Sequence, residues 1–364
     1  MTLRTGRSRF HVVTAALAIL LASISLARAS QPAPPYRGAD GSMVRGALPS
    51  HVTDVSRPSA PARARLAALS RHMTAVGDDT LRVIAIQVQF TDSLMTGERD
   101  STWFANELTH TEQYFRGASR GRFQLAWTLE GTLYTLPKAM GYYGADSREE
   151  ERVVELAQSV IDLADDDIDF SQYEHVFIIH AGAGQETDIN ADSPNQIWSS
   201  FYDRGDIREA QDDEESPGLP TDDALGGDPF FVDNFTVVPS RASQDFATVG
   251  TLGIWAFEVG SRIGLVPLFD STPSGAPDSQ GVGNFCLMAY GIFNVNGFVP
   301  AFPCAFNRML AGWLDPVVVE ADDTPALVRL TDVNTGAESD TLCVKIPITD
   351  SEYFLVTNRV HDSN

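Results

Sequence analysis

The chain has 364 residues, 43% hydrophobic and 21% charged, which is the make-up of a globular protein able to bury a real core and excludes a disordered or fibrous one. Against 26 Lys and Arg stand 49 Asp and Glu, a formal net charge of −23, so electrostatic attraction to nucleic-acid phosphates or to an anionic membrane is excluded as a driving force. Length and surface-to-volume scaling favour one main body with appendages.

In chain order, residues 1–29 read as a secretory signal. Arg4, Arg7 and Arg9 precede an apolar run from Val12 to Leu26, and Ala27-Arg28-Ala29 offers a small-residue cleavage site near Ala29. The run is about fifteen residues, short of the roughly twenty that a membrane helix needs, and no later stretch comes closer. The mature protein is therefore expected to be exported, secreted or periplasmic, with neither membrane nor nucleic acid as partner. Residues 30–80, rich in Pro, Ala, Ser and Arg with one helix-like stretch at Ala62 to His72, read as a prosegment-like linker.

The folded body is expected to begin at Leu81, where the β-branched run Leu81 to Phe90 is a strand signal. Trp103, Phe104, Leu108 and Phe115 recur at helical spacing, and Gly117 and Gly121 turn the chain into a strand-like Phe123 to Leu136. Ser147 and Glu150 form a capping-box pattern ahead of a helical stripe of Val153, Val154, Ala157, Val160, Ile161 and Ala164. His175 to His180 is a buried-type strand running into Ala181-Gly-Ala-Gly-Gln185. A lone GxG after a strand is weak evidence for a nucleotide site, and no Gly-Lys-Ser/Thr follows. The acid-rich stretch Asp203 to Asp233 reads as a long solvated loop, with hard-cation binding as a lesser alternative because no regular ligand spacing occurs.

From Gly250 to Asp270 the residues Leu252, Trp255, Ala256, Val259 and Ile263 share one helical face, so a helix is expected up to Gly264. Glu258 lies inside it. As i and i+4, Glu258 and Arg262 are also an ordinary surface ion pair worth about 0.3–0.5 kcal/mol. A second helix is expected near Ala301 to Ala311. The three cysteines, Cys286, Cys304 and Cys343, leave at least one thiol unpaired within a monomer. A Cys286–Cys304 bridge is one reading, and three buried thiols behaving as small hydrophobes is the other.

Several separated segments, in order, carry a resemblance. They are Ile86-Gln-Val-Gln-Phe-Thr-Asp92, Tyr114-Phe-Arg-Gly-Ala-Ser-Arg-Gly-Arg122, Tyr142-Tyr-Gly144, His180-Ala-Gly-Ala-Gly-Gln-Glu186 with Ile197-Trp-Ser199, the Glu258 helix, Gly281-Val-Gly-Asn-Phe-Cys-Leu-Met288, and Gly312-Trp-Leu-Asp-Pro316. Together they resemble the M6 metalloproteases, the immune inhibitor A-like secreted peptidases, over roughly Leu81 to Arg359. The resemblance implies an α/β (α+β) fold: a metzincin-like body over 81–315 with a twisted mixed sheet, an active-site helix and a methionine turn at Met288. Residues 316–364 would begin a C-terminal β-rich segment, truncated relative to the family.

In that family the helix reads His-Glu-x-x-His-x-x-Gly-x-x-Asp. Two His one turn apart and an acid beyond the glycine hold a zinc ion, which acidifies a water that the Glu deprotonates. Aligned on Glu258 and Gly264, the three ligand positions hold Phe257, Ser261 and Pro267, while Glu258 keeps the general-base position. Phe and Pro side chains have no donor atom and a neutral Ser hydroxyl is a poor zinc ligand, so no metal or other cofactor is expected. Of the seven His, only His110, His175 and His180 lie within the body, and His175 and His180 are five apart in a strand, on opposite faces. A serine nucleophile at Ser261 has no His within a turn to activate it. The sequence thus predicts a zinc-free pseudopeptidase that binds a peptide or protein in its cleft. An active metalloendopeptidase with unconventional ligands and a purely structural exported protein are the competing readings.

Overall fold

The computed structural model describes residues 79–145, 148–269, 279–320, 327–349 and 352–360. The signal-like segment, residues 30–78 with the Ala62 to His72 stretch, Ser147 of the capping pattern and Asp270 lie outside them.

The Leu81 to Phe90 run forms strand β1 (Asp79–Gln89), and the alternation of its side chains lays out the body. Leu81, Val83 and Ala85 enter one core, whereas Ile84, Ile86 and Val88 enter another. Strand β3 (His175–Ala183) alternates in step, sending Phe177 and Ile179 one way and Val176 and Ile178 the other. Burial on both faces explains why these two strands are almost uninterrupted apolar runs. With β2 (Phe123–Thr135), β4 (Ser200–Tyr202) and β7 (Phe235–Arg241) they make a five-stranded sheet of order β2-β1-β3-β7-β4. Strands β1, β2, β3 and β7 are parallel, and β4 is antiparallel to β7. The chain is therefore a mixed α/β protein with a mixed sheet, the coarse class that the resemblance implies.

Helix α1 (Ser101–Ala118) covers the first face through Phe104, Leu108 and Phe115, and its start is fixed by Asp100, whose carboxylate accepts from the Trp103 backbone N–H at 2.9 Å. After the single turn α2 (Met140–Tyr143), helix α3 (Glu149–Ala164) covers the opposite face with Val153, Ala157, Val160 and Ile161. Arg148, which makes no side-chain cap bond, occupies the cap of α3 in place of the expected Ser147.

The stretch from Asp203 to Asp233 is not a loop. Helix α4 (Arg204–Gln211) opens on a capping box in which the Asp203 side chain accepts from Gly205 and Asp206 while Asp206 accepts from the Asp203 N–H. A hairpin of β5 (Leu219–Leu225) and β6 (Asp228–Val232) follows, closed by Gly226-Gly227 with φ +66° and +97°. Its acids work as caps and edge residues, which charge counting alone hides.

Helix α5 (Leu252–Arg262) carries Glu258. Helix α6 (Ala305–Leu310) is shorter than the expected Ala301 to Ala311 because Pro303 biases Phe302 away from helical backbone and Cys304 is extended. Beyond it, β8 (Val317–Val318), β9 (Cys343–Pro347) and β10 (Tyr353–Thr357) form a small sheet of order β10-β9-β8. Arg308, 1% exposed, ties that segment to the body by donating to Ala118 O at 3.0 Å and Val333 O at 3.1 Å. Among the described residues no helix is long and apolar enough to cross a membrane.

Candidate functional site

Helix α5 is more deeply embedded than a one-sided stripe implies. Every residue from Gly253 to Gly260 is buried, whereas Leu252 and Ile263, at the ends of the expected stripe, are half-exposed. The helix is wedged between α1, the β4–β7 edge of the sheet and the Tyr290–Gly297 segment. That wedge depends on glycines. A Cβ at Gly253 would stand 2.0 Å from Ile292 O, and one at Gly260 would stand 2.9 Å from Met288 Sδ. The helix stops where the sequence predicts: Gly264 takes φ +85°, the Leu265 N–H reaches Gly260 O at 2.9 Å and the Gly264 N–H reaches Ser261 O at 3.1 Å, a Schellman close.

The singled-out residues share this neighbourhood. Glu258 is fully buried in mid-helix. Phe257, also fully buried, belongs to the core, its ring 6.2 Å from that of Phe269 at 54°. Ser261 turns its hydroxyl back along its own helix, donating to Phe257 O at 3.1 Å. Pro267 is half-buried on the arm after Gly264. Met288 is fully buried beneath Gly260 and accepts from the Leu268 N–H at 2.6 Å. Asn307, which the sequence did not single out, clamps the same arm. Its amide oxygen accepts from the Val266 N–H at 2.8 Å and its amide nitrogen donates to Val266 O at 3.0 Å. No local pattern announces it, since its partner lies forty-one residues away.

The donor set does not fit a zinc ion. A phenyl ring and a pyrrolidine offer no lone pair, and the Ser261 hydroxyl is committed to a backbone carbonyl. The histidines do not replace what is missing. His175 bonds Asn234 Oδ1 at 2.6 Å and Thr236 Oγ1 at 3.0 Å, and burial, helped by Arg262, pushes it down to about 3. His180 donates through Nδ1 to Ala181 O at 2.9 Å and is pushed by burial down to about 4. His175 packs with Phe177 and Phe201, and His180 against Phe90 on the other side of the sheet, as their spacing requires. His110 is exposed beside Glu107. Arg262 directs its guanidinium to Asn234 Oδ1 at 2.8 Å and Glu174 O at 3.0 Å.

Two further features surround these residues. Glu186, fully buried, accepts from the Ser199 hydroxyl at 2.8 Å and the Ser199 N–H at 3.2 Å, and burial pushes it up to about 7. A cavity of about 540 Å³ opens at the Arg262 end of α5, lined by Phe170, Phe230, Arg204 and Asp233 among others, a size that suits a few amino-acid side chains. Arg204 pairs there with Asp233 at 2.5 Å. Carboxylates also gather at Asp188, Asp192 and Asp245 and at Asp165, Asp222 and Asp223. Asp188 accepts from the Asp192 and Ser193 N–H groups and holds a turn, and Asp165 accepts from the Asp222 N–H and ties the end of α3 to β5.

A scan against protein-family models and a search of curated proteins found no match to this chain.

Proposed function

We propose that this protein is a secreted, metzincin-like relative of the immune inhibitor A-like peptidases that has lost its zinc and acts as a pseudopeptidase, binding a peptide or protein segment without hydrolysing it. The observation that carries the reading is the α5 surface itself. Where a zinc peptidase needs two imidazoles one helical turn apart, this helix buries a phenyl ring at Phe257 and a hydroxyl that bonds its own backbone at Ser261. Supporting it are the helix stop at Gly264, the methionine beneath Gly260, and the single antiparallel strand β4 on the sheet edge against which α5 packs.

With this donor set nothing brings the pKa of a bound water from 15.7 toward about 7, and Glu258 alone does not make a nucleophile fit for a peptide bond. The remaining capacity is binding, and the cavity at the Arg262 end of α5, where Phe170 and Phe230 line it together with Arg204, Asp233 and Arg262, is the place for it.

Two assays test this. Purified mature protein is analysed for bound zinc and incubated with casein with and without a chelator; stoichiometric zinc and chelator-sensitive cleavage would establish the active-peptidase reading instead. A peptide library is then screened against the same protein. Selective binders are expected, and a complete absence of binding would overturn the binding role in favour of a structural one.

A further inference from the structure

Cys286 and Cys304 lie at opposite ends of the segment that carries Met288 and the Tyr290–Gly297 turn. The fold closes that segment on itself. The Cys304 backbone N–H points at Cys286 Sγ at 3.2 Å, and the Asn307 amide donates to the same sulfur at 3.7 Å. Both are free thiols, with Cys286 wholly buried and Cys304 partly accessible, whereas Cys343 is buried in β9.

We propose that Cys286 and Cys304 are an oxidisable pair that forms a disulfide by thiol–disulfide exchange, stapling the Met288 segment to the start of α6. This goes beyond the pseudopeptidase reading and does not depend on it.

The chemistry of the two sulfurs is asymmetric in the way such an exchange requires. Cys304 is pushed down, chiefly by the neighbouring Cys286 thiol and further by the Asn307 and Phe306 N–H groups and the charge of Arg359. Burial drives the Cys286 thiol up. Because Cys304 is the thiol that an external reagent can reach while Cys286 is wholly buried, Cys304 is the attacking thiol and Cys286 the protected second one.

In the first step the Cys304 thiolate attacks one sulfur of an external disulfide. That S–S bond breaks, a mixed disulfide forms, and the other half leaves as a thiolate. The leaving thiolate takes the Cys286 proton. Cys286 then attacks the Cys304 sulfur and expels the second half as a thiolate, which takes from solvent the proton that Cys304 released when it ionised. Two protein thiols are oxidised to one disulfide, and the external disulfide is reduced to two thiols by the same two electrons and two protons. Because Asn307 touches both Cys286 and Val266, the staple also stiffens the arm that leads to Pro267.

The test uses the full reduced chain equilibrated with oxidised glutathione, then denatured, alkylated and mapped by mass spectrometry. The expected result is a Cys286–Cys304 linked peptide two hydrogens lighter than the separate thiols, with Cys343 alkylated. The thermal midpoint should drop by several degrees on reduction, a drop absent in Cys304→Ser. Alkylation of Cys286 with glutathione left on Cys304, or alkylation of all three thiols, would overturn the proposal.

Discussion

The buried polar chemistry of this protein differs sharply between two regions that the same resemblance singles out. At α5 the positions that would present metal donors under the resemblance hold carbon or internally satisfied oxygen: Phe257 packs on Phe269, and Ser261 bonds Phe257 O. In the turn after β3, the chain keeps polar groups under full burial. Glu186 holds Ser199, while His180 Nε2, the Gln185 amide, Trp198 Nε1 and Ser200 Oγ are buried atoms with no hydrogen-bond partner among the described residues. Burying a polar group costs free energy unless it is bonded, so the three metal positions at α5 have the composition of a core element, the buried Glu258 being the polar exception on that helix, whereas the β3–β4 region keeps its buried polar groups.

The comparison can be broken most forcefully by returning donors to α5. Phe257→His, Ser261→His and Pro267→Asp made together are expected to raise zinc affinity by at least about a thousandfold over the parent chain, measured by competition with a chromogenic chelator, with circular dichroism as the folding check. A folded triple variant that gains no affinity would place the helix in the wrong register.

The wedge around α5 is tested next. Gly253→Ala drives a Cβ against the Ile292 carbonyl, which is backbone and cannot step aside, and should destabilise by more than about 3 kcal/mol in denaturant melts. Gly260→Ala meets only the end of the flexible Met288 side chain and gains helix propensity, so its net loss should be no more than about 1 kcal/mol. Equal losses at the two sites would show that α5 is not held as described.

On the polar side, Glu186→Gln sharpens the contrast through pH. The folded pKa of about 7 lies above the ordinary 4.5, so the folded chain keeps a proton that the unfolded chain releases, and stability falls as pH rises from 4.5 to 7. The variant should lose that slope and gain up to roughly 3 kcal/mol relative to the parent above pH 7, since the amide can still serve both Ser199 groups. His175 and His180 work in the opposite sense. Their depressed values of about 3 and about 4 give stability that is present above 6.5 and lost as pH falls toward those values. Replacing His180 with Gln should flatten the acid limb of the melt without changing the neutral one.

Much of the frame was legible because it rests on local periodicity. The β-branched run from Leu81 to Phe90 and the stripe from Val153 to Ala164 specify β1 and α3, and Gly264 marks where α5 stops. The depth of α5 was not legible, because its all-round burial depends on Ile292 and Met288, more than twenty-five residues downstream, and one-face counting assigns Ile254 and Phe257 no partner. The α4 start and the Gly226-Gly227 hairpin carried ordinary signals, a capping box and a two-residue glycine turn, which the density of acids masked. Asn307 and Arg308 act through main-chain partners distant in sequence, and a single chain does not reveal such pairs. At the site, residue identity alone decided the chemistry of Phe257 and Pro267, whereas the inward turn of the Ser261 hydroxyl required coordinates.

The most direct test of the central claim is a zinc titration of the metal-stripped mature chain by calorimetry, run in parallel on Glu258→Gln. The account predicts no saturable one-to-one binding and indistinguishable curves for the two proteins. One zinc per chain, bound tightly by the parent and weakened by the Glu258→Gln change, would contradict it.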